Sequence, residues 1–217
     1  MTVRIEKSGS VWTVILSRPE ARNAMNPESA DALQEAFLEF EKDDSAFVAV
    51  FWGEGGAFCA GWDLKHAASL EGDRPLGELD FPESGNPPRG AMGPSRLELD
   101  KPVIAAVNGA AFAGGLGLVG AADIVIARED VQFSFSEVRI GVIPAVISVV
   151  CIPKLGTHHA MKLFITGERF SGSQAVDMGF AHRAVPKDQL VSAVNEEIDM
   201  INRGGPIAVV ECKKLVR

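Results

Sequence analysis

"NGAAFAGGLGLVGAADI", residues 108–124, is the stretch on which the reading of this chain turns. Its second half holds Gly115-Leu116-Gly117-Leu118-Val119-Gly120, the G-x-G-x-x-G spacing of a dinucleotide-binding turn. In a nucleotide fold the first glycine follows its strand directly, and the next helix carries a pyrophosphate on its N-terminus. Here the apolar strand "VIAAV" (103–107) ends at Asn108-Gly109, and five residues intervene before Gly115. Glu137 imitates the ribose-binding acid, but hairpin, helix and strand signals already precede the unit. A nicotinamide-dependent dehydrogenase is therefore a distant alternative.

A second stretch gives the first its context. "GGAFCAGWDLK" (55–65) follows the strand "FVAVFW" (47–52) in the way that "NGAAFAGGLGL" (108–118) follows "VIAAV". Each reads as strand, glycine turn and helix, so each presents backbone N–H groups where the helix dipole favours negative charge. Two such groups converging on one carbonyl oxygen form an oxyanion hole, which stabilises an enolate by several kcal/mol. Glycine turns also simply allow a strand and a helix to pack closely. Both meanings stay open at this point.

The surrounding chain is of the α/β kind. Val3–Lys7 and Val11–Leu16, split by Ser8-Gly9-Ser10, read as a hairpin. "NPESADALQEAFLEFEKD" (26–43) opens with Asn26 as a cap and Pro27 at the first helical position, and it places Leu33, Phe37 and Phe40 on one face. "DIVIA" (123–127) is a further buried strand. Strands alternating with helices predict parallel pairing. Residues Gly72–Pro94, rich in glycine and proline, predict a mobile loop beside a site. The last stretch carries helix signals broken by Gly204-Gly205-Pro206.

Composition narrows the function classes. A chain of 217 residues with 47% hydrophobic content supports one well-buried domain. A net charge of −8 argues against broad nucleic-acid contact. The apolar run Val142–Ile152 is too short for a bilayer span, and "MTVRIEKSGS" lacks the apolar core of a signal peptide. A cytoplasmic protein without membrane partners is expected. Cys59, Cys151 and Cys212 show neither paired spacing nor C-x-x-C, so they are expected to be small buried thiols, with no disulfide and no metal site.

Taken together, the motifs resemble the crotonase superfamily, the enoyl-CoA hydratase/isomerase family. The resemblance runs through "VILSRPEARNAMN" (14–26), "GAFCAGWDLK" (56–65), "KPVIAAVNGAAFAGGLGLVGAADIVIA" (101–127), "FSFSEVRIGVIP" (133–144) and "GERFSGSQAVDMGFAHRAV" (167–185). It implies an α/β fold, a crotonase-like superhelix of repeated ββα units over residues 1–200. Residues 201–217 would then open a C-terminal helical region that is expected to continue. The implied substrate is an acyl-CoA, with coenzyme A part of the substrate and no separate cofactor. The implied assembly is a homotrimer or a dimer of trimers.

Carried over by position, the resemblance makes the N–H groups of Trp62 and Gly114 the oxyanion donors and Glu137 the catalytic acid/base. Ala60 and Leu64 would lie along the coenzyme, with Arg22 and Lys65 as cations for its phosphates. Gly117 takes the place, three residues past the oxyanion glycine, where typical hydratases carry a second carboxylate. One carboxylate with an oxyanion hole suffices to move a proton from carbon 2 to carbon 4, so isomerisation is the chemically simpler outcome. Against that, "GVIPAVISVV" (141–150) resembles hydratase-like members acting on branched or carboxylated acyl-CoAs. Hydration, isomerisation and a non-catalytic thioester-binding role all remain open. His66, His158 and His159 are read as structural or surface residues.

Overall fold

The computed structural model describes residues 1–69, 89–94 and 97–217. Most of the predicted loop Gly72–Pro94 therefore lies outside the described residues. Its described end forms a tight turn in which Gly90 and Gly93 exchange backbone hydrogen bonds.

Two sheets carry the fold. The larger has six strands in the order β1 (Val3–Ser8), β2 (Val11–Leu16), β3 (Val48–Gly53), β5 (Val103–Val107), β7 (Ile124–Arg128), β10 (Arg183–Val185). Only the β1–β2 hairpin is antiparallel; the remaining neighbours run parallel. The smaller sheet orders β4 (Ala57–Cys59), β6 (Ala110–Phe112), β8 (Gln132–Ser134) and β9 (Arg169–Ser171). The chain alternates between them. β3 leads to β4 and helix α2 (Leu64–Ser69), and β5 leads to β6 and α3 (Gly114–Ala121). β7 then leads to β8, a short 3-10 turn (Ser136–Ile140) and α4 (Ala145–Thr166), and β9 leads to α5 (Gly172–Asp177). This is the expected superhelix of repeated ββα units.

The central strands β3, β5 and β7 of the large sheet are apolar on both faces because both faces are covered. Val48, Val50, Ile104, Ala106 and Ile126 pack with Leu190, Ala193, Val194 and Ile198 of α6 (Leu190–Asn202). Their sequence neighbours Ala49, Phe51, Ala105 and Val107 point the other way, as a period of two requires. They join Leu33, Phe37 and Phe40 of α1 (Pro27–Lys42) in the main core. That helix starts as its sequence dictates: the Asn26 side chain accepts the Ser29 N–H at 2.9 Å, and Pro27 fills the first position, where an N–H would be unsatisfied.

The glycine pattern of α3 has a packing cause. A Cβ on Gly115 would lie 2.3 Å from the Cys59 carbonyl oxygen, so the helix start is pressed against β4. One on Gly117 would lie 2.3 Å from Ile147 Cγ2, and one on Gly120 would lie 3.1 Å from Cys151 Sγ; both partners belong to α4. The spacing that imitates a nucleotide turn is thus a set of close contacts between elements.

Among the cysteines, Cys59 and Cys151 are buried, but Cys212 is exposed on α7 (Pro206–Val216), which corrects the expectation of three buried thiols. Lys213, next to Cys212, ties the helix down through a 2.6 Å contact to Asp123. No described helix is long and apolar enough to cross a membrane.

Candidate active site

The first glycine turn is held by main-chain and side-chain hydrogen bonds together. Met25 donates its N–H to the Gly61 carbonyl at 2.8 Å and accepts the Asp63 N–H at 2.8 Å. This bridge straddles Trp62 and leaves the Trp62 N–H facing the other way, where no described acceptor meets it. Asp63 accepts the N–H groups of Lys65 (3.1 Å) and His66 (3.2 Å) on one oxygen, capping α2, and takes Arg18 Nη2 at 3.0 Å on the other. Burial alone would raise the Asp63 pKa, but Arg18 and the two N–H donors outweigh it and hold the carboxyl below its usual range. Asn23 secures the loop from beneath, donating to the carbonyls of Glu54 (2.9 Å) and Ala57 (2.7 Å).

The second turn is strained at its centre. Ala113 sits at φ 49° and ψ −123°, a conformation costly for any residue with a Cβ. Its N–H is anchored to the Ser134 carbonyl at 2.9 Å. Gly114 follows as the first residue of α3, so its N–H has no partner within the helix and meets no other described acceptor.

The turns touch. Gly61 has φ +90°, and a Cβ there would lie 2.8 Å from the Phe112 oxygen and 3.2 Å from the Gly114 nitrogen. Ala60, Trp62, Ala113 and Gly114 consequently line one cavity of about 700 Å³. Its far wall comes from the 3-10 turn and the start of α4: Glu137, Val142, Ile143 and Ile147 among them.

Glu137 is the only carboxylate among the described residues lining this cavity. It is 9% exposed, and its Oε2 is buried with no hydrogen-bond partner among the described residues. Burial pushes its pKa above the ordinary carboxylate value, against a smaller opposing effect of its own N–H. Phe135, immediately before it, packs against Phe164, Phe170 and Phe180 and gives the turn a rigid floor. The nearby Cys59 thiol is pushed up to about 12 by burial, which removes it as a nucleophile.

Ala60, Trp62, Leu64, Gly114 and Glu137 are therefore brought together around one space. Arg22 and Lys65 are exposed and do not line it; they flank the first turn instead, Arg22 through its carbonyl, which accepts the Ala60 N–H at 3.0 Å. Gly117 lies behind Ile147 and is not part of the cavity surface. The His66 ring lies 6.3 Å from that of Trp62, outside the lining, and His158 and His159 begin the second segment of α4 beyond its interruption at Gly156. Three contributors escaped sequence reasoning: Arg18, Met92, which borders Gly114, and Ile147. Arg18 stands in the quoted "SRPEARN", but its partner is 45 residues away.

Two free N–H groups, one desolvated carboxylate and an apolar wall define a site for carbanion chemistry next to a carbonyl. Residues 6–217 match the enoyl-CoA hydratase/isomerase family, and the chain belongs to that family. It is 36% identical over 219 residues to carnitinyl-CoA dehydratase of Proteus mirabilis (strain HI4320), covering 100% of this chain and 80% of that protein. Among solved structures, an enoyl-CoA hydratase of Mycobacterium smegmatis superposes with a TM-score of 0.88 at 27% identity, covering 100% of this chain and 82% of the other. An enoyl-CoA hydratase/isomerase of Marinobacter aquaeolei gives 0.85 at 31%, covering 99% and 82%.

Proposed function

We propose that this protein isomerises a 3-enoyl-CoA to the conjugated 2-enoyl-CoA, with Glu137 as its one acid/base. The observation that carries this reading is that Glu137 stands as the sole carboxylate among the described cavity residues, buried and without a partner on Oε2. The thioester oxygen accepts hydrogen bonds from the N–H groups of Trp62 and Gly114. Glu137 takes a proton from C2, the electron pair spreads over the dienolate, and the same carboxyl returns the proton at C4. The double bond moves from C3–C4 to C2–C3 with no atom gained or lost. Removing one donor from such a hole costs about 3 kcal/mol in comparable sites. Arg22 and Lys65, exposed beside the first turn, are the cations offered to the coenzyme phosphates.

Reversible hydration is the second reading, favoured by the 36% identical relatives named carnitinyl-CoA dehydratase. One carboxylate balances that reaction too, taking a proton from water and passing it to C2 while the oxygen bonds C3. Product analysis after incubation with matched 3-enoyl and 2-enoyl thioesters separates the two. Glu137→Gln should reduce turnover by about 100-fold or more while the thioester still binds. Undiminished turnover in that variant would sink both readings, and binding without turnover in the wild type would leave a non-catalytic thioester binder. Exposed apolar side chains on and before α4, among them Ile143, Val149 and Ile165, support assembly into trimers, which sedimentation would check.

A further inference from the structure

The cavity wall facing the two N–H groups is built from the start of α4 and the residues before it, and α3 contributes only Gly114 to the lining. Gly117 lies three residues along α3 from Gly114, one short helical turn beyond a donor N–H. Any side chain at 117 would start in space that Ile147 already holds, since an added Cβ falls 2.3 Å from Ile147 Cγ2 and 2.9 Å from its Cβ. Ile147 is buried, at 4% exposure, and lines the cavity. Its neighbours in the lining, Val142, Ile143, Ala145 and Val146, bear hydrocarbon side chains as well. The polar side chains of the lining, Ser136, Glu137 and Arg139, all come from the 3-10 turn, so a water set against the α4 segment has hydrocarbon on that side, where it finds no partner.

We propose that Ile147, by filling the space in front of Gly117, determines the reaction outcome: it denies a positioned water to the acyl chain and leaves proton relocation as the favoured course. This rests on the single-carboxylate reading of Glu137. It also changes what a simple substitution can do. Gly117→Glu alone would drive its side chain into Ile147, so a second carboxylate can enter only when residue 147 is shortened at the same time.

The test compares wild type, I147A, G117A, I147A/G117A and I147A/G117E, reading the melting temperature and the ratio of hydrated to isomerised product from one enoyl-CoA pair. G117A alone should lower Tm by on the order of 5 °C, I147A should lower it by its own cavity cost, and G117A added to I147A should cost no more than about half of what it costs in the wild type. The product ratio should rise roughly 3-fold in I147A and roughly 10-fold or more in I147A/G117E. If I147A/G117E does not fold, I147A carries the ratio. Additive melting shifts, or a ratio that stays flat in I147A and in the folded double variant, would overturn the proposal. A wild type that only hydrates overturns both this proposal and the isomerase reading; a wild type that isomerises while the ratio stays flat overturns the role of Ile147 alone.

Discussion

The two glycine turns deliver the same kind of group to the cavity but are secured by different physics. The turn around Trp62 has the Met25 main-chain bridge and, beyond it, a set of side-chain braces: Arg18 on Asp63, Asp63 on the first N–H groups of α2, and Asn23 on two carbonyls. The turn around Gly114 is braced by main chain pressed against main chain, so that a Cβ added to Gly115 would lie 2.3 Å from the Cys59 oxygen. Polar braces can be removed singly, with graded loss. A backbone contact has no side chain to trim, so the only available change is an added atom that does not fit. The first turn should tune activity, and the second should decide whether the site forms.

The largest expected effect follows from that contrast. Gly115→Ala should destabilise the protein by more than about 3 kcal/mol, because the clash is with backbone and neither element can yield cheaply. Denaturant titration checks it, and a variant within about 1 kcal/mol of wild type would break the comparison. Next comes Arg18→Ala, which strands Asp63 in a site where the pair is only 17% and 13% exposed. A loss of about 2 kcal/mol is expected, with kcat down roughly 10-fold and KM little changed, since the Trp62 N–H would be less well aimed. Arg18→Lys should recover part of the rate.

A smaller effect of opposite sign is expected at the second turn. Ala113→Gly relieves the strained φ of 49° and should stabilise the protein by about 1 kcal/mol, after the entropic cost of glycine. A fall in Tm would show that the methyl group contributes packing that outweighs the strain.

The subtlest test uses pH, where the two carboxylates should move oppositely. Asp63 has a depressed pKa in the folded state, so its contribution is present above the unfolded value of about 3.9 and is lost as pH falls through the folded value. Glu137 has a raised pKa, so wild type should lose stability relative to Glu137→Gln as pH rises from about 4.3 through the folded value. Melting curves of Asp63→Asn and Glu137→Gln against wild type between pH 3 and pH 8 would show the difference narrowing at low pH for both variants, with opposite sign.

Much of this architecture was legible in the sequence because its signals are local. The cap at Asn26, the apolar stripe of α1 and the long buried strands of the six-stranded sheet all reside within one element. The smaller sheet was not legible: β4, β6, β8 and β9 are three residues each, too short for a period of two to register. The break in α4 at Gly156, with Pro153 just before it, is punctuation visible in the sequence, and a helix start at His158-His159 follows from it. At the site, the residue types were readable and the contacts were not. Gly117 marked a missing carboxylate, but nothing near it announced that Ile147, thirty positions on, fills the vacancy. That fact belongs to the crossing of α3 and α4, and a crossing has no sequence signature of its own.

The distribution of the three thiols gives the protein an internal set of clocks. Cys212 is open to solvent and should react with a thiol reagent at once, fixing the zero of the time scale. Cys59 lies directly behind the first turn and Cys151 beneath the α3–α4 crossing, each shielded from reagent until its own surroundings part. Labelling followed residue by residue would therefore date the opening of each neighbourhood separately, with no foreign probe. If the two delays coincide, the site opens as one cooperative unit; if Cys59 reacts first, the side-chain-braced turn is the part that breathes.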